Sequence, residues 1–163
     1  MLDLYIAFAS ILVVFIAFRR QLRKSYPFYL LLNISAIAGS VALEQPFIML
    51  GFWLHTVYPQ FFGLSLYALL MYIPWITLTF LISKRLSEKA NIYLCYFLAG
   101  ALLGLTIDIV SVNLGFYQYR FNSVFRILGT PAEITILEGL AMTAFLTLGG
   151  KIIPWLLKAG GKR

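Results

Sequence analysis

Apolar residues run along this chain in five long stretches, at positions 2–18, 27–52, 58–82, 92–117 and 131–157. Each is long enough to cross a bilayer core of about 30 Å as a helix. The first is the shortest, and Pro154 is expected to break the last near its end. The polar positions gather in the connectors. Arg19, Arg20, Arg23 and Lys24 follow the first stretch, Lys84, Arg85 and Lys89 follow the third, and Lys151, Lys158, Lys162 and Arg163 close the chain. These three regions hold eleven of the thirteen basic residues and fall on one side of a five-span chain. The positive-inside rule makes that side cytoplasmic, so the N-terminus is expected outside, with His55 and the segment 120–126. The pattern predicts an all-α polytopic membrane protein, one multi-pass transmembrane domain in the cell membrane with its C-terminus in the cytoplasm.

The ends of the chain fit that reading. Asp3 stands where a signal peptide would carry basic residues, and a basic cluster follows the apolar run, so the first stretch is expected to be an anchor and not a cleaved leader. Trp155, between Lys151 and Lys158, is expected at the inner interface. Residues 159–163 are expected to fray.

Composition narrows the class. Apolar residues make up 61% of the chain, aromatics 17% and charged residues 12%, against about 25% charged in an ordinary soluble domain. Too few charges remain to wet a soluble globule, and disorder needs the opposite balance. The net charge of +7 sits in short clusters between apolar runs, which argues against nucleic acid as a partner. Cys95 is the only cysteine, so it has no internal disulfide partner and supplies no multi-thiolate metal site. His55 has no second ligand at metal spacing and is expected to be a solvated loop residue. Neither a metal nor another cofactor is expected. Pro74 is expected to kink its helix and Pro131 to start one.

The second and fourth stretches align with a shift of 64 residues. Glu44 falls on Asp108, Gly51 on Gly115, Phe52 on Phe116 and Trp53 on Tyr117. Both stretches run from inside to outside. The alignment predicts two parallel helix-pair repeats, 27–82 and 92–157, added to an N-terminal helix. Helical spacing places Asn33, Ala36, Ser40 and Glu44 on one face, and Gly100, Gly104, Asp108 and Ser111 on another. Such small residues let membrane helices approach closely, so these faces should meet protein. Ala132, Thr135, Gly139, Thr143 and Gly150 form a similar stripe in the fifth stretch. Glu133 and Glu138 flank it, roughly 140° apart at 100° per residue.

Asp108 lies about 25 Å along its helix, in the outer third of the membrane. An ionised carboxylate there is costly. It is expected to be protonated, paired with Arg120 or Arg126, or exposed to a water-filled cavity. Glu44, Glu133 and Glu138 face the same choice, and together these residues predict a polar outer pocket. A purely structural role for the acids stays open at this point. Trp53, Phe116, Tyr117 and Tyr119 gather beside them in sequence.

The run Asp108-Ile-Val-Ser-Val-Asn-Leu-Gly-Phe-Tyr-Gln-Tyr, followed by Leu128-Gly-Thr-Pro-Ala-Glu133, resembles the membrane-type lycopene cyclases of bacteria and archaea, which have bacterioruberin-pathway hydratases as a neighbouring group. Their pattern is an acid, then Gly-aromatic-x-aromatic, then Pro-x-Glu-Glu opening the next span. Asp108, Gly115, Tyr117 and Tyr119 match its first part, and Pro131 and Glu133 its second. The first repeat matches only at Glu44, Gly51 and Trp53. Ile134 replaces the second glutamate of the pair, and the third stretch has Pro74-Trp75-Ile76 without an acid.

The resemblance implies an enzyme, an isomerase or hydratase, working by acid–base chemistry without redox on a carotenoid or other isoprenoid taken from the lipid bilayer. Asp108 and Glu133 would form the acid–base pair, with Glu44 as a second acid. Trp53, Phe116, Tyr117, Tyr119 and Glu138 would bind substrate. The aromatic faces would stabilise a carbocation. A non-enzymatic membrane protein is the alternative, either an ion or proton pathway or a scaffold subunit, and both homo- and hetero-oligomers fit. A pathway would need polar residues along whole spans, whereas the inner halves of the third and fifth stretches lack charge until Lys84 and Lys151.

The predicted orientation can be read by labelling. In a Cys95-free background, single cysteines at Thr56 and Ser87 should react with an impermeant thiol reagent from opposite sides, Thr56 from outside. Reaction of both from one side would overturn the topology.

Overall fold

The computed structural model describes residues 1–160. Lys162 and Arg163, with most of the tail expected to fray, lie outside them. Helices α1 (Leu2–Ala17) and α2 (Arg19–Lys24) lead into α3 (Tyr26–Met49), and short strands β1 (Trp53–His55), β2 (Gln60–Phe61) and β3 (Leu64–Ser65) lead into α4 (Leu66–Leu86). The second half runs through α5 (Ile92–Asn113), strands β4 (Tyr117–Tyr119), β5 (Arg126–Ile127) and β6 (Thr130–Pro131), and α6 (Ala132–Gly160). The chain is mostly helical. Among the described residues, α3, α4, α5 and α6 are long and apolar enough to cross a membrane, while α1 is apolar but shorter.

Several expected boundaries move for local reasons. The third stretch was expected to be helical from 58, but residues 60–65 form a β-hairpin and α4 begins at Leu66. Tyr58, Phe61, Phe62 and Leu64 are apolar enough to extend a hydropathy run without being helical. The side chain of Ser65 caps α4, its Oγ accepting from the Ala68 amide at 3.2 Å. Asn91 caps α5 in the same way through the Tyr93 amide at 2.8 Å. Pro154 does not break α6, which continues to Gly160, and Pro74 sits inside α4.

α3 and α5 end alike. Gly51 (φ 72) and Gly115 (φ 73) take the left-handed conformation just past each helix. The Gly51 amide bonds to the Ile48 carbonyl and that of Phe52 to Phe47. The Gly115 amide bonds to Val112 and that of Phe116 to Ser111. Both are Schellman caps, which satisfy the last helical carbonyls. No atom comes within 4 Å of a Cβ placed on either glycine, so the backbone conformation and not space favours glycine here. Beyond each cap comes a strand, then a two-residue hairpin. Phe62 (φ 53) with Gly63 (φ 82), and Leu128 (φ 48) with Gly129 (φ 95), turn the two hairpins with positive φ at both central residues.

Strands β1 and β4 pair antiparallel, with Trp53 opposite Tyr119, Leu54 opposite Gln118 and His55 opposite Tyr117. Side chains alternate across a strand. Leu54 and Gln118 are accordingly exposed, while Trp53, His55, Tyr117 and Tyr119 point down into the helices.

The four long helices form a ring in which α3 packs on α4, α4 on α5, α5 on α6 and α6 back on α3. α1 lies outside the ring against α4. One end of the ring is filled by Leu32, Ala36, Ile76, Phe80, Met142 and Leu146. The strand pair covers the other. Gly100 and Gly139 of the small-residue stripes face protein as expected, whereas Gly150 is exposed. A Cβ on Gly100 would meet Met142 at 2.7 Å, and one on Gly139 would meet the Phe97 ring at 2.8 Å.

Gly100→Ala should therefore force α5 and α6 apart, at a cost of about 1–3 kcal/mol for overpacking. It should lower the thermal unfolding midpoint in detergent. Gly150→Ala, with no atom within 4 Å of its Cβ, should not. Equal midpoints for the two variants would contradict this packing.

Candidate functional site

Between the strand pair and the apolar end of the ring lies a cavity of about 190 Å³. Three acids from three helices line it: Glu44 on α3, Asp108 on α5 and Glu138 on α6. Its walls are otherwise apolar and aromatic, including Phe47, Trp53, Tyr72, Trp75, Tyr117 and Tyr119.

Asp108 is buried and both its carboxylate oxygens are used. Tyr117 donates its hydroxyl to Oδ1 and Tyr119 to Oδ2. The two tyrosines stand two residues apart on β4, so both rings fall on the face turned towards the helices. Burial, then the adjacent Asp108, push both phenols well above the usual tyrosine range, which keeps them as donors.

Glu44 is buried and held differently. Tyr72 of α4 donates to Oε1, and Nε2 of His55 lies 3.5 Å from Oε2. On its other side, Nδ1 of His55 is 3.1 Å from Ser65 Oγ, the cap of α4. His55 is thus only 6% exposed and is not the solvated loop residue expected. The pairing of β1 with β4 carries it inward, over the carboxylate and beside Tyr117.

Glu138 has a buried Oε2 without a hydrogen-bond partner among the described residues. It occupies the space left by Gly104, where a Cβ would come within 2.8 Å of both the Glu138 carboxyl carbon and the Trp75 ring.

Glu133 does not join this group. Its Oε2 accepts from Ser123 Oγ at 2.6 Å and its Oε1 from the Val124 amide at 2.9 Å, so it ties down the loop ahead of α6. The angle between Glu133 and Glu138 on the helix explains why only one faces the cavity, and the structure places Glu138 there. Phe116 also leaves the expected set. It is buried against Tyr67, ring centroids 4.9 Å apart, in a cluster with Ala7 of α1. Trp53 does line the cavity, stacked on Phe47 at 5.0 Å. Of the three outcomes open to the acids, pairing with Arg120 or Arg126 is not the one taken among the described residues: Arg126 donates to the carbonyls of Phe121 and Gly129, both at 2.9 Å. Among the described residues Asp3 pairs with the N-terminal amine, and the remaining contact between an acid and a basic group is that of Glu44 with the His55 ring.

His55, Tyr72 and Trp75 were missed by sequence reasoning. For the last two, a signal existed: Ala68, Tyr72 and Trp75 follow helical steps of four and three. Among the described residues no group of three or more His, Cys, Asp or Glu is placed to hold a metal ion. Comparison with protein-family models, curated proteins and solved structures gives no match.

If Glu133 serves the loop and not the cavity, Glu133→Ala should speed hydrogen exchange at the Val124 amide several-fold. The fluorescence of the cavity tryptophans Trp53 and Trp75, read in a Trp155→Phe background, should be unchanged. A fluorescence change without faster exchange would place Glu133 at the cavity instead.

Proposed function

We propose that this chain is an acid–base enzyme of the membrane, acting without redox on an isoprenoid dissolved in the bilayer. The observation that carries the reading is the convergence of Glu44, Asp108 and Glu138 on one aromatic-walled apolar cavity. Lycopene-cyclase-like chemistry has the same requirements. A carboxylic acid protonates a terminal C=C bond. The tertiary cation is closed by an internal double bond, or by water to give an alcohol. In the cyclisation a base then removes a proton, so no atom is gained or lost overall. Glu138, whose Oε2 has no partner, is assigned as the proton donor. Asp108, which receives two phenolic hydrogen bonds, is assigned as the fixed carboxylate facing the cation, with Tyr117, Tyr119 and Trp53 as its aromatic surround. Glu44, beside His55, is assigned as the base.

The same reading includes five membrane-crossing helices, α1 among them, with the N-terminus outside and the strand pair at the outer face. It also includes a tandem repeat. Its support is the double succession of Schellman cap, strand and hairpin, and the pairing of Leu54 with Gln118, positions equivalent under the 64-residue shift. The ion-pathway alternative is disfavoured by the apolar plug of Leu32, Ile76, Phe80 and Leu146 beneath the cavity.

The test is expression in a lycopene-accumulating bacterium, followed by pigment chromatography and then a panel of other acyclic isoprenoids. Glu138→Gln, Asp108→Asn and Glu44→Gln should each lower turnover by about 100-fold or more, the usual scale for a lost acid–base group. Glu133→Gln should retain it. Wild-type protein that leaves every compound unchanged would overturn the enzyme reading.

A further inference from the structure

The four seams of the helix ring are not equally closed. The cavity walls given by α4 and α5 are sealed, with Met71, Trp75, Ile76, Gly104 and Asp108 all buried. The walls given by α3 and α6 reach the outside. Leu43 is 57% exposed and Leu137 45% exposed, yet both line the cavity. This seam is also the thinnest of the four. At its middle Gly39 faces the Phe145 ring, and a Cβ added there would already lie 3.5 Å from Phe145 Cε2. Because Leu43 immediately precedes Glu44, the opening lies at the depth of the acids, within the apolar length of both helices.

Size limits what can enter. An apolar cavity of about 150 Å³ accommodates a benzene-sized guest. The cavity here, about 190 Å³, holds one ring-sized fragment and not a long polyene. We infer that the seam between α3 and α6 is a lateral portal, through which one end of a linear hydrocarbon chain enters from the bilayer while the rest stays in the seam and the lipid. The identity of the chain as an isoprenoid rests on the acid–base reading, but the route does not. The inference gives that reading a consequence: chemistry is confined to the last few carbons, and a two-ended substrate must leave and re-enter reversed to react twice.

Trp53 and Trp75 line the cavity and make the portal measurable, since Trp155, the third tryptophan, is remote on α6 and 67% exposed. The full chain carrying Trp155→Phe is placed in phosphatidylcholine vesicles with hexadecane brominated either at its end or at mid-chain. Bromine quenches tryptophan only at close range. The end-labelled alkane should quench several-fold more strongly than the mid-labelled one, and Gly39→Phe should remove that excess. Ala141→Leu, on the α6 side of the portal, serves as a second block should the first variant unfold, with folding checked by circular dichroism. Equal quenching by the two alkanes, no quenching, or an excess that survives both blocks would overturn the portal. Selective quenching without turnover of any isoprenoid would leave the portal standing and remove the chemistry. Turnover without selective quenching would do the reverse.

Discussion

A carboxylate inside an apolar helix ring needs donors, and here the strands provide them. Asp108 lies on α5, but its two donors come from β4, which the chain reaches only after the Schellman cap at Gly115. The period of the strand then decides the rest. Tyr117 and Tyr119 share a face, so both phenols reach the carboxylate, while Gln118 turns to the outside. The pairing of β4 with β1 brings His55 and Trp53 over the same cavity from the other half of the chain. Roof, donors and aromatic walls therefore share one origin. Without the strand pair Asp108 would lose both of its donors, whereas Glu44 would lose His55 and keep Tyr72 of α4.

On the tandem reading, equivalent scaffold positions carry different chemistry. The places of Tyr117 and Tyr119 in one half are held by Trp53 and His55 in the other. Asp108 is consequently met by two phenolic donors, while Glu44 is met by one phenol, Tyr72, and by the imidazole of His55. The hairpin connectors differ in spacing by two residues, which sets Tyr72 of α4 at the position of Glu138 in α6. One half thus places a phenol on its own acid, and the other adds a third carboxyl group to the cavity. The two acids therefore sit in chemically different surroundings, and the proposed division of roles between them rests on that difference.

Much of this scaffold was legible in the sequence because hydropathy and small-residue spacing report on lipid and on close helix contact. The helices about Glu44 and Asp108 and the packing face at Gly100 and Gly104 follow from local patterns, and Gly51 and Gly115, aligned in the sequence, end their helices in the same way. What was not legible depends on contacts far apart in the chain. His55 looks like a solvated loop residue until β1 pairs with β4. Glu133 and Glu138 were known to lie on different sides of α6, but nothing local says which side meets the cavity. The hairpin at 60–65 escaped because its turn uses Phe62 at positive φ, where a reader looks for Asn or Gly, and because its apolar residues prolong a hydropathy run.

The placement of Glu138 shows how function and packing compete at one residue. The α5–α6 interface is built for close approach, and Gly100 lets Met142 fill it. One helical turn nearer the strand pair the same device, Gly104, admits a carboxyl group beside Trp75, where an alanine would leave no room. Packing alone would favour a methionine or leucine at position 138, as at 142, because an unpartnered buried carboxyl oxygen contributes no compensating hydrogen bond. A glycine that makes space for an acid, in a cavity whose other two acids already have their donors, is an arrangement that stability does not explain. The proposed acid–base reading supplies a reason, a third carboxyl group left free for a molecule entering through the seam between α3 and α6.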